Sequence, residues 1–383
     1  VPGKFLLGMN VFDAAVKRMV EQYEAGHRIV VSISGGKDST ICMEIAVIAA
    51  KITGRLPVEC VTRDEEINAP GTYEYLERVA DRDDVELTWL VAHQPIVNAF
   101  DREQPYWWVM DPLIDPDLWV RKPPPYAIEI PELNIEAMTT KERFPPPPGK
   151  ELRAVVGLRA SESRWRRMGL HSSGGVMTTP IKLTGVANVR PIYDWEDGDV
   201  WKAIHTHHFD YNRAYDVMLR CGLKARQLRI SPPTLNPGGG TLLQKVHSTA
   251  WPNWWDRVCR RLPSVRTFAK YGMVLVTPQR RYGETWQECF QRTCIDTAPA
   301  WIAQRAERQR EILLRAHVGK HMPAEAGLPE VETCFSCFGN MGSWKALSFA
   351  CYLGDPFSLR MNLPYVDPDY FRPGSGRWNG HPG

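Results

Sequence analysis

The sequence predicts an α/β fold, with a parallel twisted sheet carrying helices on both faces, followed by a smaller, mostly helical C-terminal module. Three observations carry that reading. Short apolar runs alternate with segments of helical periodicity between residues 11 and 91. A glycine turn directly follows the first of those runs. A Pro/Gly-rich stretch, 231–241, then separates this alternating part from a region of helical patterns.

The elements follow in order. Val11, Ala14, Ala15, Met19, Val20 and Tyr23 recur at helical spacing, and Gly26 is a stop signal. Ile29 to Ile33 is a buried strand, and Ile41 to Ile52 is the helix beyond the glycine turn. Leu56 to Val61 is a second strand, ending in Thr62-Arg63-Asp64-Glu65-Glu66; Thr72 to Ala80 is a helix and Val85 to Val91 a third strand. In parallel sheets ligands collect at the carboxyl ends of strands, where the glycine turn and Asp64 both fall.

Residues 103–150 break the rhythm with Trp107-Trp108, Trp119-Val120-Arg121, Pro123 to Pro125 and Pro145 to Pro148. Proline at this density excludes helix interiors and central strands, so the segment reads as an ordered insertion or a lid. Ala154 to Leu158 resumes the sheet and leads into Arg159. A further strand ends at Pro191-Ile192-Tyr193-Asp194-Trp195, before a helix from Asp197 to His205. Trp251 to Lys270 and Trp301 to His317 are helices of the second module. The expected domains are therefore 1–235, containing the insertion, and 236–383.

Bulk properties bound the function. At 383 residues, 43% apolar and 24% charged, the chain is globular and long enough for two domains. A net charge of +3 is not that of a polyanion-seeking chain. Residues 251–320, however, hold 13 Lys/Arg against 6 Asp/Glu with five tryptophans, a basic aromatic region suited to nucleic acid. No apolar run reaches the ~18 residues of a membrane span, and the N-terminal residues lack a signal-peptide layout. Nine cysteines then read as reduced thiols or metal ligands in a cytoplasmic protein.

Ser34-Gly35-Gly36-Lys37-Asp38-Ser39-Thr40 is the chemical centre of the sequence. A strand, a glycine turn and a helix N-terminus make an anion site: glycines admit the phosphate, successive N–H groups form a nest, and the helix dipole favours negative charge. The spacing is not that of the Walker loop. The bland alternative is a Gly-rich turn with no ligand. Arg159 offers a bidentate fork for phosphate or sulfonate, with Arg164, Arg166 and Arg167 on the next helical turns and Glu162 placed to orient it. Its alternative is a surface arginine beside the sheet. Trp195 and Trp201 read as core.

The order of motifs carries a family resemblance. Ser34-Gly35-Gly36-Lys37-Asp38-Ser39 resembles the pyrophosphate-binding loop of the PP-loop ATP pyrophosphatases. Gly157-Leu158-Arg159 with Glu162-Ser163-Arg164 and Pro191 to Trp195 with Asp199-Val200-Trp201 follow it, each at an expected strand end. Together, across residues 10–230, they resemble the phosphoadenosine-phosphosulfate (PAPS) reductase family of that superfamily. Phe209 to Tyr215, Trp107-Trp108 and Trp119-Val120-Arg121 look closer to a divergent phage- and plasmid-borne branch. The resemblance implies an adenine nucleotide alpha hydrolase-like fold, ATP with magnesium as ligand, and a ParB-like protein partner. It places Ser34 to Thr40, Gly157, Arg159 and Arg164 on the nucleotide, and Lys37, Asp38, Asp64 and Arg159 in catalysis.

In that chemistry a nucleophile attacks the α-phosphorus and pyrophosphate leaves. Lys37 and the loop N–H groups hold the leaving charge, while Asp38 and Asp64 are hard oxygen ligands for magnesium. Asp38 can equally stabilise its helix N-terminus, and Asp64 can be a solvated loop acid. Reductases of the family use a cysteine in a C-terminal Glu-Cys-Gly tail, and many carry an eroded glycine loop. Here no cysteine follows Cys351 and the loop is intact, so the expectation is ATP pyrophosphatase rather than reductase. A non-catalytic nucleotide-dependent DNA-binding partner is the other alternative.

Cys289-x4-Cys294 and Cys334-x2-Cys337 can together ligate zinc or an iron–sulfur cluster, or be ordinary thiols. Related adenylylsulfate reductases and DNA-phosphorothioation pyrophosphatases favour the cluster. Cys42, Cys60, Cys221 and Cys259 read as core thiols.

Overall fold

The computed structural model describes residues 8–130, 138–163, 166–169, 178–180, 186–234, 245–317, 327–331, 343–353 and 371–372. The chain divides into two compact units, Val1–Gln94 with Val109–Pro232, and Pro95–Trp108 with Pro233–Gly383. The segment 103–150 is thus shared between them.

Nine strands occur among the described residues: β1 Arg28–Ser32, β2 Val58–Arg63, β3 Val85–Ala92, β4 Pro95–Val97, β5 Tyr106–Trp108, β6 Ile128–Ile130, β7 Leu152–Val155, β8 Thr178–Pro180 and β9 Ala187–Val189. In the first unit seven of them form one sheet in the order β6-β3-β2-β1-β7-β9-β8. Six are parallel; β8 alone runs antiparallel, at the edge beside β9. Helices α1 Val11–Glu24, α2 Lys37–Thr53, α3 Pro70–Ala80, α4 Asp197–Thr206 and α5 Ala214–Arg220 complete the unit.

The crossovers between its parallel strands leave both faces of the sheet covered. Ile29, Val31 and Ile33 pack on one side with Met19 of α1, Ile41 and Ile45 of α2, and Leu76 of α3. Val30 packs on the other with Val61, Leu90, Phe144 and Leu152. Helix α2 is buried nearly all round, which accounts for its apolar run Ile41-Cys42-Met43. Truncating such a side chain to alanine costs roughly 2–5 kcal/mol.

Strand order changes direction at β1: the chain moves outward to β2 and β3, then returns to place β7 on the other flank of β1. This is the switch point at which doubly wound sheets open a ligand crevice.

Two expected elements change. The strand placed up to Trp195 stops at Val189, and Pro191–Asp194 is a turn closed by Tyr193 N–H to Arg190 O and Trp195 N–H to Ile192 O. Pro191 has no N–H to extend a ladder. The single helix expected over 251–270 is two, α6 Pro252–Arg261 and α7 Pro263–Tyr271, because Pro263 starts a helix but cannot continue one.

The second unit adds the β4–β5 hairpin and helices α8 Trp286–Phe290, α9 Ala300–His317 and α10 Trp344–Tyr352. Phe290, Cys294, Leu313, Trp344 and Leu347 form one of its cores. Tyr106, Trp108, Trp301 and Phe371 form another. Of the four expected core thiols, Cys42, Cys60 and Cys259 are buried, but Cys221 is exposed where it caps the end of α5. Among the described residues no helix is long and apolar enough to cross a membrane.

Candidate functional site

A cavity of about 690 Å³ opens at the carboxyl ends of β1, β2 and β7, lined by Ser34, Gly36, Lys37, Asp38, Asp64 and Arg159 among others. The loop between β1 and α2 is fixed from several directions. Gly35 has φ +73°, and a Cβ there would lie 2.7 Å from Thr72 Cγ2, so both backbone and space require glycine. Ser39 Oγ accepts from Ser34 N–H at 3.2 Å and donates to Gly36 O at 2.9 Å. Fully buried Asn212 donates from Nδ2 to Gly35 O at 3.0 Å and to Thr72 Oγ1 at 2.9 Å. Tyr215 reaches the mouth of the loop, where its hydroxyl oxygen accepts the Lys37 N–H at 2.9 Å. That leaves the hydroxyl proton of a cavity-lining tyrosine available to donate.

β7 delivers the second wall. A Cβ on Gly157 would stand 2.9 Å from the Asp38 carbonyl carbon and 3.0 Å from Ser39 N, so this glycine lets the chain leaving β7 close on the first turn of α2. Arg159 follows and is only 3% exposed in its side chain. A buried guanidinium must be paired. Its Nε donates to Asp38 Oδ1 at 2.7 Å, its Nη2 to Asp197 Oδ1 at 2.7 Å and its Nη1 to Ser161 Oγ at 3.1 Å. Lys37 Nζ joins the same carboxylates, 3.1 Å from Asp38 Oδ2 and 3.3 Å from Asp197 Oδ1. Burial pushes the Asp197 carboxyl up, but Lys37 and Arg159 outweigh it and hold the group below the ordinary carboxylate range.

The site is therefore a lattice of two cations and two carboxylates. Over the whole cavity wall, Lys37, Arg63, Arg159, Arg166 and Arg229 face Asp38, Asp64, Glu65, Glu162 and Asp197, so the signs balance. An anion entering here exchanges one set of partners for another rather than meeting bare positive charge.

Asp64 stands apart from that lattice. Its side chain is fully buried, with Oδ2 accepting from Trp89 Nε1 at 2.9 Å and from Arg121 Nη2, and Oδ1 accepting Glu66 N–H at 2.9 Å. Arg121 in turn lies over the Tyr73 ring, 3.4 Å from its centroid. Burial raises the Asp64 carboxyl against the pull of Arg121. A solvated loop acid it is not.

Arg164, Cys334 and Cys337 lie outside the described residues. Cys289 and Cys294 are both buried; Cys294 Sγ donates to Ser348 O at 3.6 Å. Among the described residues no group of three or more His, Cys, Asp or Glu is placed to hold a metal ion. Trp195 is fully buried in the core, whereas Trp201 is only partly buried and packs edge-on against Tyr215, at 5.2 Å between ring centroids.

Asp197, Asn212 and Tyr215 are the site residues that sequence reasoning missed. Each reaches the loop from more than 150 residues away along the chain, as the Lys37–Asp197 and Gly35–Asn212 contacts do.

Sheet order, switch point and glycine loop define a nucleotide-binding α/β protein of the PP-loop class. The family model of the phosphoadenosine phosphosulfate reductase domain matches residues 28–220, half of the chain, and the chain belongs to that family. It is similar, at 26% identity over 286 residues, to the uncharacterized protein YbdN of Escherichia coli (strain K12), covering 70% of this chain and 69% of that one. Among solved structures it is similar to Candida glabrata FMN adenylyltransferase (TM-score 0.33, 12% identity), covering 54% of this chain and 57% of that one, less than two thirds of its length. It is also similar to phosphoadenylyl-sulfate reductase from Candida auris in its phosphate complex (TM-score 0.33, 14% identity), covering 60% and 98%.

Proposed function

We propose that the first unit is an ATP pyrophosphatase that adenylylates an acceptor, with sulfur transfer or nucleic-acid modification as the downstream chemistry. The observation that carries this reading is the intact glycine loop set against Arg159: the loop, the Lys37 ammonium and a buried guanidinium line one cavity. An acceptor nucleophile attacks the α-phosphorus, the bond to the bridging oxygen breaks, and pyrophosphate leaves with the electron pair. Lys37 and Arg159 take up the charge that develops on it, exchanging their hold on Asp38 and Asp197 for the phosphates. Tyr215 donates from its hydroxyl at the loop mouth.

Magnesium fits part of the donor set. Asp38 and Asp197 offer hard oxygens at the cavity, and Asp197 is the more exposed, at 56% of its side chain. Asp64 fits poorly, since Arg121, Trp89 and the Glu66 N–H already occupy its oxygens. Held by Asp38 and Asp197, the ion would neutralise phosphate charge.

The test is product analysis from ATP with magnesium and candidate acceptors. AMP and pyrophosphate are expected; ADP and phosphate as the main products would refute the reading. Gly36→Val and Asp38→Ala should each remove nucleotide binding, the first because its side chain enters the path of the phosphates. Family membership also supports a second reading, reduction of a sulfonucleotide, and thiol-dependent release of sulfite from PAPS would establish it.

A further inference from the structure

Helices α6 and α7 each bury one stripe and expose the other. Trp254, Trp255, Val258 and Cys259 of α6 and Val265 and Phe268 of α7 face the core. Arg257 and Arg260 of α6 and Arg266 and Lys270 of α7 are exposed at helical spacing. The two exposed stripes adjoin, because Arg266 Nη2 of α7 pairs with Asp256 Oδ1 of α6 at 3.3 Å. Asp256 is the single carboxylate on this face of the two helices. Four cations against one acid give the face the same net charge, +3, as the entire chain. At its end Tyr271 is 54% exposed, with Lys270 Nζ 5.2 Å from its ring centroid.

We propose that this face of α6 and α7 binds single-stranded nucleic acid. Spaced cations on adjoining helical stripes match the repeating charge of a phosphodiester backbone. An exposed ring beside them supplies a flat surface on which an unpaired base can stack. A duplex hides its base faces, so Tyr271 favours the single strand. Among the described residues Arg266 is the one of these four cations paired with a carboxylate, so phosphate binding displaces little.

The full-length protein titrated into a fluorescein-labelled oligothymidylate, followed by anisotropy, tests this. Four phosphate contacts predict a slope of log K against log salt near −3, or about 50-fold weaker binding between about 50 and 200 mM salt. Arg257→Glu with Arg260→Glu and Lys270→Glu should weaken binding at least about tenfold with unchanged thermal unfolding. Tyr271→Ala should weaken it several-fold, and Asp256→Asn should tighten it, a gain that no folding defect produces. Should the charge-reversed variant fold poorly, glutamines at the same three positions serve instead. Binding that is insensitive to salt, a triple variant indistinguishable from the parent, or equal preference for a blunt duplex would overturn the proposal.

Discussion

The two units put their charge in opposite places. In the first, Lys37, Arg159, Asp38 and Asp197 are gathered at the inner end of a sheet and paired across the chain. In the second, Arg257, Arg260, Arg266 and Lys270 stand outside on helix faces, where among the described residues Asp256 is the carboxylate paired with one of them. The difference separates two uses of charge. Paired charges contribute little net stability, so a lattice built on a buried arginine is better explained as a preorganised set of partners for a ligand. Exposed charge of one sign is cheap to carry, is screened by salt, and is informative only about partners.

The sharpest test of the inward arrangement is Gly157→Val. Its Cβ would fall within 3.0 Å of the backbone at Asp38 and Ser39, atoms that cannot swing aside as a side chain can. The loop must move, and ATP binding measured by calorimetry should vanish. Arg159→Ala comes next: it strips a partner from Asp38 and Asp197, which Lys37 still holds, and should lower stability in denaturant melts by less than the loss of a fully buried pair. Nucleotide affinity should also fall far more than in exposed Arg167→Ala. Equal effects of the two arginines would return Arg159 to a purely structural place.

Tyr215→Phe is smaller. The ring is retained, but the Lys37 N–H loses its acceptor, a loss of about 1–3 kcal/mol. The expected outcome is about tenfold weaker ATP binding with the fold intact. A pH effect belongs to the second unit and leaves nucleotide binding untouched. His247 is buried among Trp251, Trp254 and Trp255, and burial pushes its imidazole from 6.5 down to about 3. The unfolded chain therefore takes up a proton before the folded one does. The stabilisation is complete above pH 6.5 and is lost progressively as pH falls toward 3. Thermal melts of His247→Gln against the parent should converge in acid; a constant gap across that range would contradict it.

What the sequence made legible was local. The run from Ser34 to Thr40 announced a turn and a helix start because glycine, hydroxyl and acid act on their immediate neighbours. The alternation of strand and helix through residue 91 announced the sheet for the same reason. The proline at 263 was equally readable as a helix start, yet continuous apolar periodicity concealed it. Asp64 illustrates the opposite limit. With Glu65 and Glu66 beside it, it read equally as a magnesium ligand or a solvated loop acid, and the contacts from Arg121 and Trp89 explain its burial. Asp197, which opens α4, gives no local sign that it will meet Lys37 and Arg159.

Asn212 adds a constraint in time. Its amide holds the carbonyl of Gly35, 177 residues earlier in the chain. At the usual ~5–20 residues per second of synthesis, that separation means roughly 10–35 s between the emergence of the loop and the arrival of its brace. A nascent chain halted before Asn212 would carry the glycine loop and lack its clamp. Nucleotide capture by ribosome-bound chains of increasing length would therefore be expected to switch on late, as a signal that this half of the polypeptide is finished.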